Sequence, residues 1–292
     1  MTRTVLLNDG APFPLIGLGV MEIADEQVPA VMRQAVTLGY RAFDTAPVYR
    51  NEKGVGRGIR ECGLPREAVQ VTTKLWNDRQ GYDEALRAFD ESLAALELDY
   101  VDAYLIHWPV PAKDRYADSW RALVRLQEEG RVKSIGVSNF LPDHLDRIIG
   151  ETGVAPAMNQ VELHPDWQQE ALRSVHARHR IATVAWSPLG RGSALQDERI
   201  GRLAAQVGCT PAQLILAYLA SKDIVVIPKA SSARHLKDNI DSVAIALEPE
   251  VVAAMQALDR PDGRFGPDPM TFERLGSHRS PAQTPMTGNQ HA

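Results

Sequence analysis

Two rhythms of apolar and polar positions run along this chain. Short, nearly unbroken apolar runs alternate with longer stretches whose apolar residues recur every three or four positions. The first kind reads as a strand buried on both faces, the second as an amphipathic helix covering it. Residues 4–15 open with two short apolar runs around Asn8-Asp9-Gly10, a hairpin signal. Leu15-Ile-Gly-Leu-Gly19 is the first predicted barrel strand, and a helix is predicted over 25–38, with acidic residues in its first turn and Gly39 as its stop. Strand–helix pairs then follow at 41–44 and 52–61, 69–74 and 83–97, 101–106 and 119–129, 133–138 and 142–149, and 158–161 and 168–179. The strand 181–186 meets its helix, 211–220, after a longer insertion, and 224–228 precedes a helix over 232–240. Eight such units over roughly 250 residues predict an α/β fold of the (β/α)8 (TIM) barrel type, with an N-terminal β-hairpin.

A doubly wound sheet is the main alternative. No Gly-x-Gly-x-x-Gly follows the first strand, and Gly54-Val-Gly56-Arg-Gly58 falls inside a helix-like segment, which argues against a dinucleotide-binding loop of that kind. From about Arg264 the chain turns rich in Pro, Gly, Ser and Thr. Its first part is expected to be a loop over the barrel mouth. One domain is therefore expected over residues 1–278, with a disordered tail at 279–292.

Composition narrows the setting. The net charge of −5 is spread out, with no basic stripe for nucleic acid. No run approaches the ~18 apolar residues of a membrane span, and the N-terminus lacks a signal-peptide core. Cys62 and Cys209 have no partner spacing for zinc or a redox pair. These features predict a cytoplasmic protein with no membrane or nucleic-acid partner, and the lack of an obvious apolar patch suggests a monomer.

The chemistry gathers where strands end. Tyr100-Val-Asp-Ala-Tyr-Leu-Ile-His107-Trp108-Pro109 is a buried run that stops abruptly in polar and aromatic residues. Asp44, with Tyr49 just beyond it, and Lys74 close two earlier strands. In a (β/α)8 barrel these ends share the rim where active sites lie. A lysine cation beside a tyrosine would lower the phenol pKa, an aspartate would hold the lysine, and a histidine would orient a bound oxygen. Taken singly, each residue has a plainer reading as packing or an ion pair; four converging on one rim favour a proton donor. A metal site built from His107, Glu162 and His164 is the rival, but Glu162-Leu-His164-Pro lacks a characteristic ligand spacing.

At this point the chain resembles the aldo-keto reductase superfamily. Phe43-Asp44-Thr45-Ala46-x-x-Tyr49-x-Asn51-Glu52, Thr73-Lys74-Leu75-Trp76, Leu105-Ile106-His107-Trp108-Pro109, Ile135-Gly-Val-Ser138-Asn139-Phe140, Asn159-Gln160-Val-Glu-Leu-His-Pro165 and Ile227-Pro228-Lys229 occur in the family's order. The resemblance implies an NADPH-dependent reductase of aldehydes, ketones or keto sugar acids, acting without a metal. Tyr49 would be the general acid, assisted by Asp44 and Lys74, with His107 orienting the carbonyl. Ser138, Asn139 and Gln160 would bind the carboxamide, and Trp186 would stack under the nicotinamide. Ser187, Leu189, Gly190, Arg191 and Gly192 would follow the pyrophosphate. Lys229, Ala230, Ser231, Arg234 and His235 would meet the adenosine phosphate, and Asn239 the adenine.

Met21, Trp76, Asn77 and Trp108 would line the substrate pocket, with the 264–272 loop at its edge. Lys74-Leu-Trp-Asn77-Asp78-Arg79 and Trp186 lean towards the prokaryotic diketogluconate reductases. Two departures concern cofactor choice: Ala230 stands where the family commonly has serine, and His235 where many members carry an arginine. Neutral histidine holds a phosphate less well than a planar guanidinium. NADPH is therefore the expected cofactor, with NADH tolerated. A cofactor-binding redox sensor on the same barrel is the alternative from another class, and a metal-dependent hydrolase the third.

Overall fold

Asn8-Asp9-Gly10 makes the turn it signals. In the computed structural model, which describes residues 3–275, β1 (Thr4–Leu6) pairs antiparallel with β2 (Pro12–Pro14), and Gly10 takes a φ of 86°. The hairpin carries Leu7 and Phe13 into a cluster with Ala42, Ala103, Leu105, Val184 and Val225. These residues fill the barrel interior from its N-terminal end, so the hairpin acts as a plug. The expected tail, 279–292, lies outside the described residues.

Eight parallel strands make the barrel: β3 (Leu18–Gly19), β4 (Ala42–Asp44), β5 (Gln70–Leu75), β6 (Val101–Ile106), β7 (Val132–Ser138), β8 (Met158–Glu162), β9 (Ala182–Trp186) and β10 (Val225–Ile227), each hydrogen-bonded to the next in sequence. Closure is made by the residues around β3. Gly17 N–H donates to the Val226 carbonyl at 3.0 Å, Val226 N–H to Leu15 at 2.8 Å, and Gly19 bridges Lys229. A Cβ on Gly17 would lie 2.7 Å from Ile227 Cδ1, so this closing strand needs glycine.

The covering helices are α1 (Val28–Leu38), α2 (Glu52–Glu61), α3 (Tyr82–Leu96), α4 (Tyr116–Glu128), α5 (Pro142–Thr152), α6 (Glu170–His179), α7 (Glu198–Val207), α8 (Pro211–Ser221), α9 (Ala233–Ser242) and α10 (Pro249–Gln256). Their inward faces pack on the strands in one continuous core, with Trp120, Phe89, Phe140 and Leu216 fully buried. Gly56 explains the glycine-rich run in α2: a Cβ there would sit 1.9 Å from the Leu96 carbonyl. These glycines serve helix packing.

Several expectations need correction. Helix α1 has no acidic residue in its first turn; Asp25 precedes it and instead accepts from Gly54 N–H at 2.6 Å and from Arg57 at 2.8 Å. Helix α4 starts three residues earlier than its periodicity suggests, because Tyr116 and Ala117 are buried with it. The insertion after β9 contains α7, capped by the Asp197 side chain on Arg199 N–H, and α10 was not anticipated. Among the described residues no single helix is long and apolar enough to cross a membrane.

Candidate active site

Strand β4 ends in Asp44 and β5 nearly ends in Lys74, and their pairing brings the two side chains together in the barrel mouth. Lys74 is fully buried; its Nζ donates to Asp44 Oδ1 at 2.5 Å and to the Thr45 carbonyl at 3.0 Å. Gln160, on β8, donates to the other carboxylate oxygen, Oδ2, at 2.8 Å. Both Asp44 oxygens are thus engaged. Burial lowers the Lys74 pKa, and the charge and hydrogen bond of Asp44 oppose that shift.

Tyr49 reaches the same place through a tight turn. Pro47 opens the short 3-10 turn Pro47–Tyr49, and Arg50 leaves it in the left-handed region. Asn51 fixes the turn from beneath. Its amide donates to the Val20 and Ile23 carbonyls at 2.8 and 3.0 Å, while its oxygen accepts from Thr45 Oγ1 at 2.8 Å. Tyr49 Oη then stands 3.5 Å from His107 Nε2, and Lys74 Nζ lies 5.2 Å from the phenol ring centroid. Trp76 meets the His107 ring edge-on at 5.0 Å. The structure therefore brings Asp44, Tyr49, Lys74 and His107 into one cluster.

The electrostatics differ from the expectation in one respect. Burial, and secondly the Asp44 charge, push the Tyr49 phenol well above its ordinary pKa rather than below it. Lys74, hydrogen-bonded to Asp44, does not outweigh that burial in the resting site. Behind Lys74, Glu52 accepts from Thr73 Oγ1 at 2.7 Å, and burial pushes its carboxyl up to about 7. This second buried acid was not anticipated from the sequence.

Around the rim the other expected residues fall into three groups. Ser138, Asn139, Gln160 and Trp186 form one connected shelf. Ser138 Oγ donates to the Gln160 carbonyl at 2.7 Å, Asn139 Nδ2 to the His107 carbonyl at 2.9 Å, and Trp186 Nε1 to Asn139 Oδ1 at 2.8 Å. Ser187, Leu189, Gly190, Arg191 and Gly192 form a loop in which four of the five take positive φ, Leu189 excepted. Alternation of right- and left-handed backbone, as at Leu189–Gly190, turns successive N–H groups to one side, an arrangement suited to anions.

The third group stands apart from the shelf, at the start of α9. Lys229, Ser231, Arg234 and His235 are exposed, whereas Ala230 and Asn239 are buried. Arg234 is only loosely paired, 3.7 Å from Asp238, and His235 N–H caps onto Ser232 Oγ at 3.3 Å.

The aromatic residues expected at the pocket pack with others the sequence did not single out. Trp76, Trp108, Val48 and Val110 cluster with Tyr49, Trp186 and Phe272. Phe272 lies 4.4 Å from Trp108, while Trp76 Nε1 and Asn77 Nδ2 donate to the Leu275 and Arg274 carbonyls. The C-terminal loop is thus tied to Trp76, Asn77 and Trp108. Met21 is half-buried at the turn after β3. The proposed metal set does not assemble: Glu162 is taken up by His164 and two loop amides, and among the described residues no group of three or more His, Cys, Asp and Glu could hold a metal ion.

Comparison with known proteins matches this geometry to a family. The sequence model described as "Aldo/keto reductase family" matches residues 15–260. An aldo-keto reductase of Mycolicibacterium smegmatis is 45% identical, covering 94% of this chain and 100% of that protein. Methylglyoxal reductase DkgA of Salmonella typhimurium is 44% identical, covering 92% and 97%. Among solved structures, a variant of Gox0644 in complex with NADPH superposes with a TM-score of 0.89 at 46% identity, covering 92% of this chain and 98% of that one. The chain therefore belongs to the aldo/keto reductase family.

Proposed function

We propose that this protein reduces a small aldehyde, dicarbonyl or keto sugar acid to the alcohol with NADPH, and that Tyr49 is the proton donor. The observation that carries the reading is the meeting of Tyr49 Oη and His107 Nε2 at 3.5 Å above the buried Lys74–Asp44 pair. Two hydrogen-bonding groups at that separation converge on a single carbonyl oxygen. A phenol whose pKa is held high keeps its proton through neutral pH, so the donor is loaded before substrate arrives.

The residues present fit a phosphorylated dinucleotide. The connected shelf of Ser138, Asn139 and Gln160 offers amide and hydroxyl groups to a carboxamide, and Trp186 an aromatic face to a ring. The left-handed loop at 187–192 suits a pyrophosphate, and Lys229, Arg234 and His235 lie at the capped start of α9, where anions are favoured. Asn239, buried on α9, is assigned to the adenine side. NADPH held there would supply the hydride for the carbonyl carbon. His107 and Tyr49 hold the carbonyl oxygen. As that oxygen gains negative charge, Tyr49 Oη gives it a proton, and the transient phenolate is stabilised by the Lys74 cation. Asp44 and Gln160 keep Lys74 in place.

The substrate class rests on the pocket and on the relatives. Trp76, Trp108, Phe272 and Met21 make a largely apolar wall with Asn77 at its edge, which suits a small polar-headed ligand. The relative from Salmonella typhimurium is named for methylglyoxal reduction. The exposed large apolar side chains among the described residues are few, which supports a monomer.

The test is oxidation of NADPH, and separately NADH, by the purified protein with methylglyoxal, a diketone and a keto sugar acid. Turnover with NADPH on at least one is expected. Tight NADPH binding without turnover on any would favour the sensor alternative.

A further inference from the structure

Glu162, at the end of β8, is buried, carries a full side chain into the barrel mouth and is not needed by the chemistry above. Its carboxylate is saturated by the C-terminal loop. Phe265 N–H donates to Oε1 and Gly266 N–H to Oε2, both at 2.8 Å, and His164 Nε2 sits 3.1 Å from Oε1. Gly266 is required there, since a Cβ would lie 2.4 Å from Glu162 Oε2 and 2.7 Å from Trp186 Cη2. The Phe265 ring stacks on His164 at 4.8 Å and lies under the Arg191 guanidinium at 4.8 Å.

From this anchor the chain runs on to its second attachment, where Arg274 and Leu275 accept from Asn77 and Trp76. Between the two lies Phe272 on Trp108. The roof of the substrate pocket is therefore suspended between two strand ends, β8 and β5. At the β8 end both backbone hydrogen bonds of the loop go to one carboxylate.

We propose that Glu162 is the positioning residue that holds the 264–275 loop over the substrate pocket, and so sets KM for substrates long enough to touch that loop. A carboxylate offers two acceptor oxygens to two converging N–H groups. Glutamine offers one oxygen and turns a donor towards the second N–H, which costs that bond and leaves an amide facing an amide. The proposal rests on the reductase reading for its kinetic part alone.

The test compares wild type with Glu162→Gln in two assays. In kinetics with NADPH, KM for a keto sugar acid is expected to rise about tenfold with kcat within about twofold. KM for methylglyoxal, too small to span to the loop, and the NADPH Kd should stay within about twofold. In limited trypsin digestion of the folded protein, the Arg264–Phe265 bond should be cut about tenfold faster in the variant.

Unchanged cleavage with unchanged KM values would overturn the proposal. So would an NADPH Kd that rises in step with KM, because Glu162 would then serve the cofactor side. If wild type turns over no substrate, the reductase reading falls while the digestion still decides the loop anchor. Should Glu162→Gln not fold, Glu162→Asp keeps the charge but draws the carboxylate one methylene back from the Phe265 and Gly266 N–H groups. It should show the same pattern at about threefold, and wild-type behaviour in it would overturn the proposal.

Discussion

Lys74 holds its ammonium 2.5 Å from Asp44 Oδ1 at a site where the lysine has no solvent exposure. Two charges withdrawn from water are tolerable only together, and the Gln160 and Thr45 bonds satisfy what the pair leaves open. Replacing one partner strands the other. Asp44→Asn is expected to destabilise the fold by about 3–5 kcal/mol and to depress turnover, as read by urea unfolding at pH 7 and steady-state kinetics. A variant as stable as wild type would show that Lys74 is held by something other than Asp44.

Glu52 makes a pH prediction of definite sign. Its carboxyl is pushed up to about 7 by burial, from an ordinary value of 4.5. As pH rises from about 4.5 to 7 the unfolded chain releases this proton while the folded chain keeps it, so the contribution of Glu52 to stability falls across that window and is level above it. The full difference is about 3 kcal/mol. Glu52→Gln retains an acceptor for Thr73 and cannot ionise. Relative to wild type it should therefore gain stability between pH 5 and pH 8, measured by urea midpoints. Parallel pH profiles for the two proteins would contradict this.

Cofactor choice turns on the first turn of α9. His235 is exposed, and its neighbour Arg234 is drawn towards Asp238. His235→Arg would place a permanent charge and a planar fork where a neutral ring now stands. At an exposed, salt-screened position the expected gain in NADPH over NADH preference is about three- to tenfold. It is measured as the ratio of kcat/KM for the two cofactors, and no change would show that Lys229 and Arg234 already suffice.

The barrel was legible because its strands are apolar runs with turn signals at each end, and periodicity finds these without tertiary information. Helices α7 and α10 escaped for the opposite reason. Each lies outside the strand–helix rhythm, with α7 hidden in the insertion after β9 and α10 in what reads as a trailing segment. At the site, Asp44, Tyr49, Lys74 and His107 were visible as polar residues interrupting apolar runs. The direction of the Tyr49 shift was not, because it is set first by burial of the phenol in the folded barrel mouth, which sequence spacing does not show. Phe272 was passed over, and Glu162 was read only as a ligand of the rival metal site, because their partners lie about a hundred residues or more away, at Trp108 and at Phe265 and Gly266.

The central claim is that Tyr49 delivers the proton, and Tyr49→Phe tests it most directly. The substitution removes one oxygen and leaves the ring against His107. Turnover of NADPH with methylglyoxal should fall by at least about a hundredfold, while NADPH Kd, followed by tryptophan fluorescence, stays within about twofold. Wild-type turnover in Tyr49→Phe would show that the proton comes from another group.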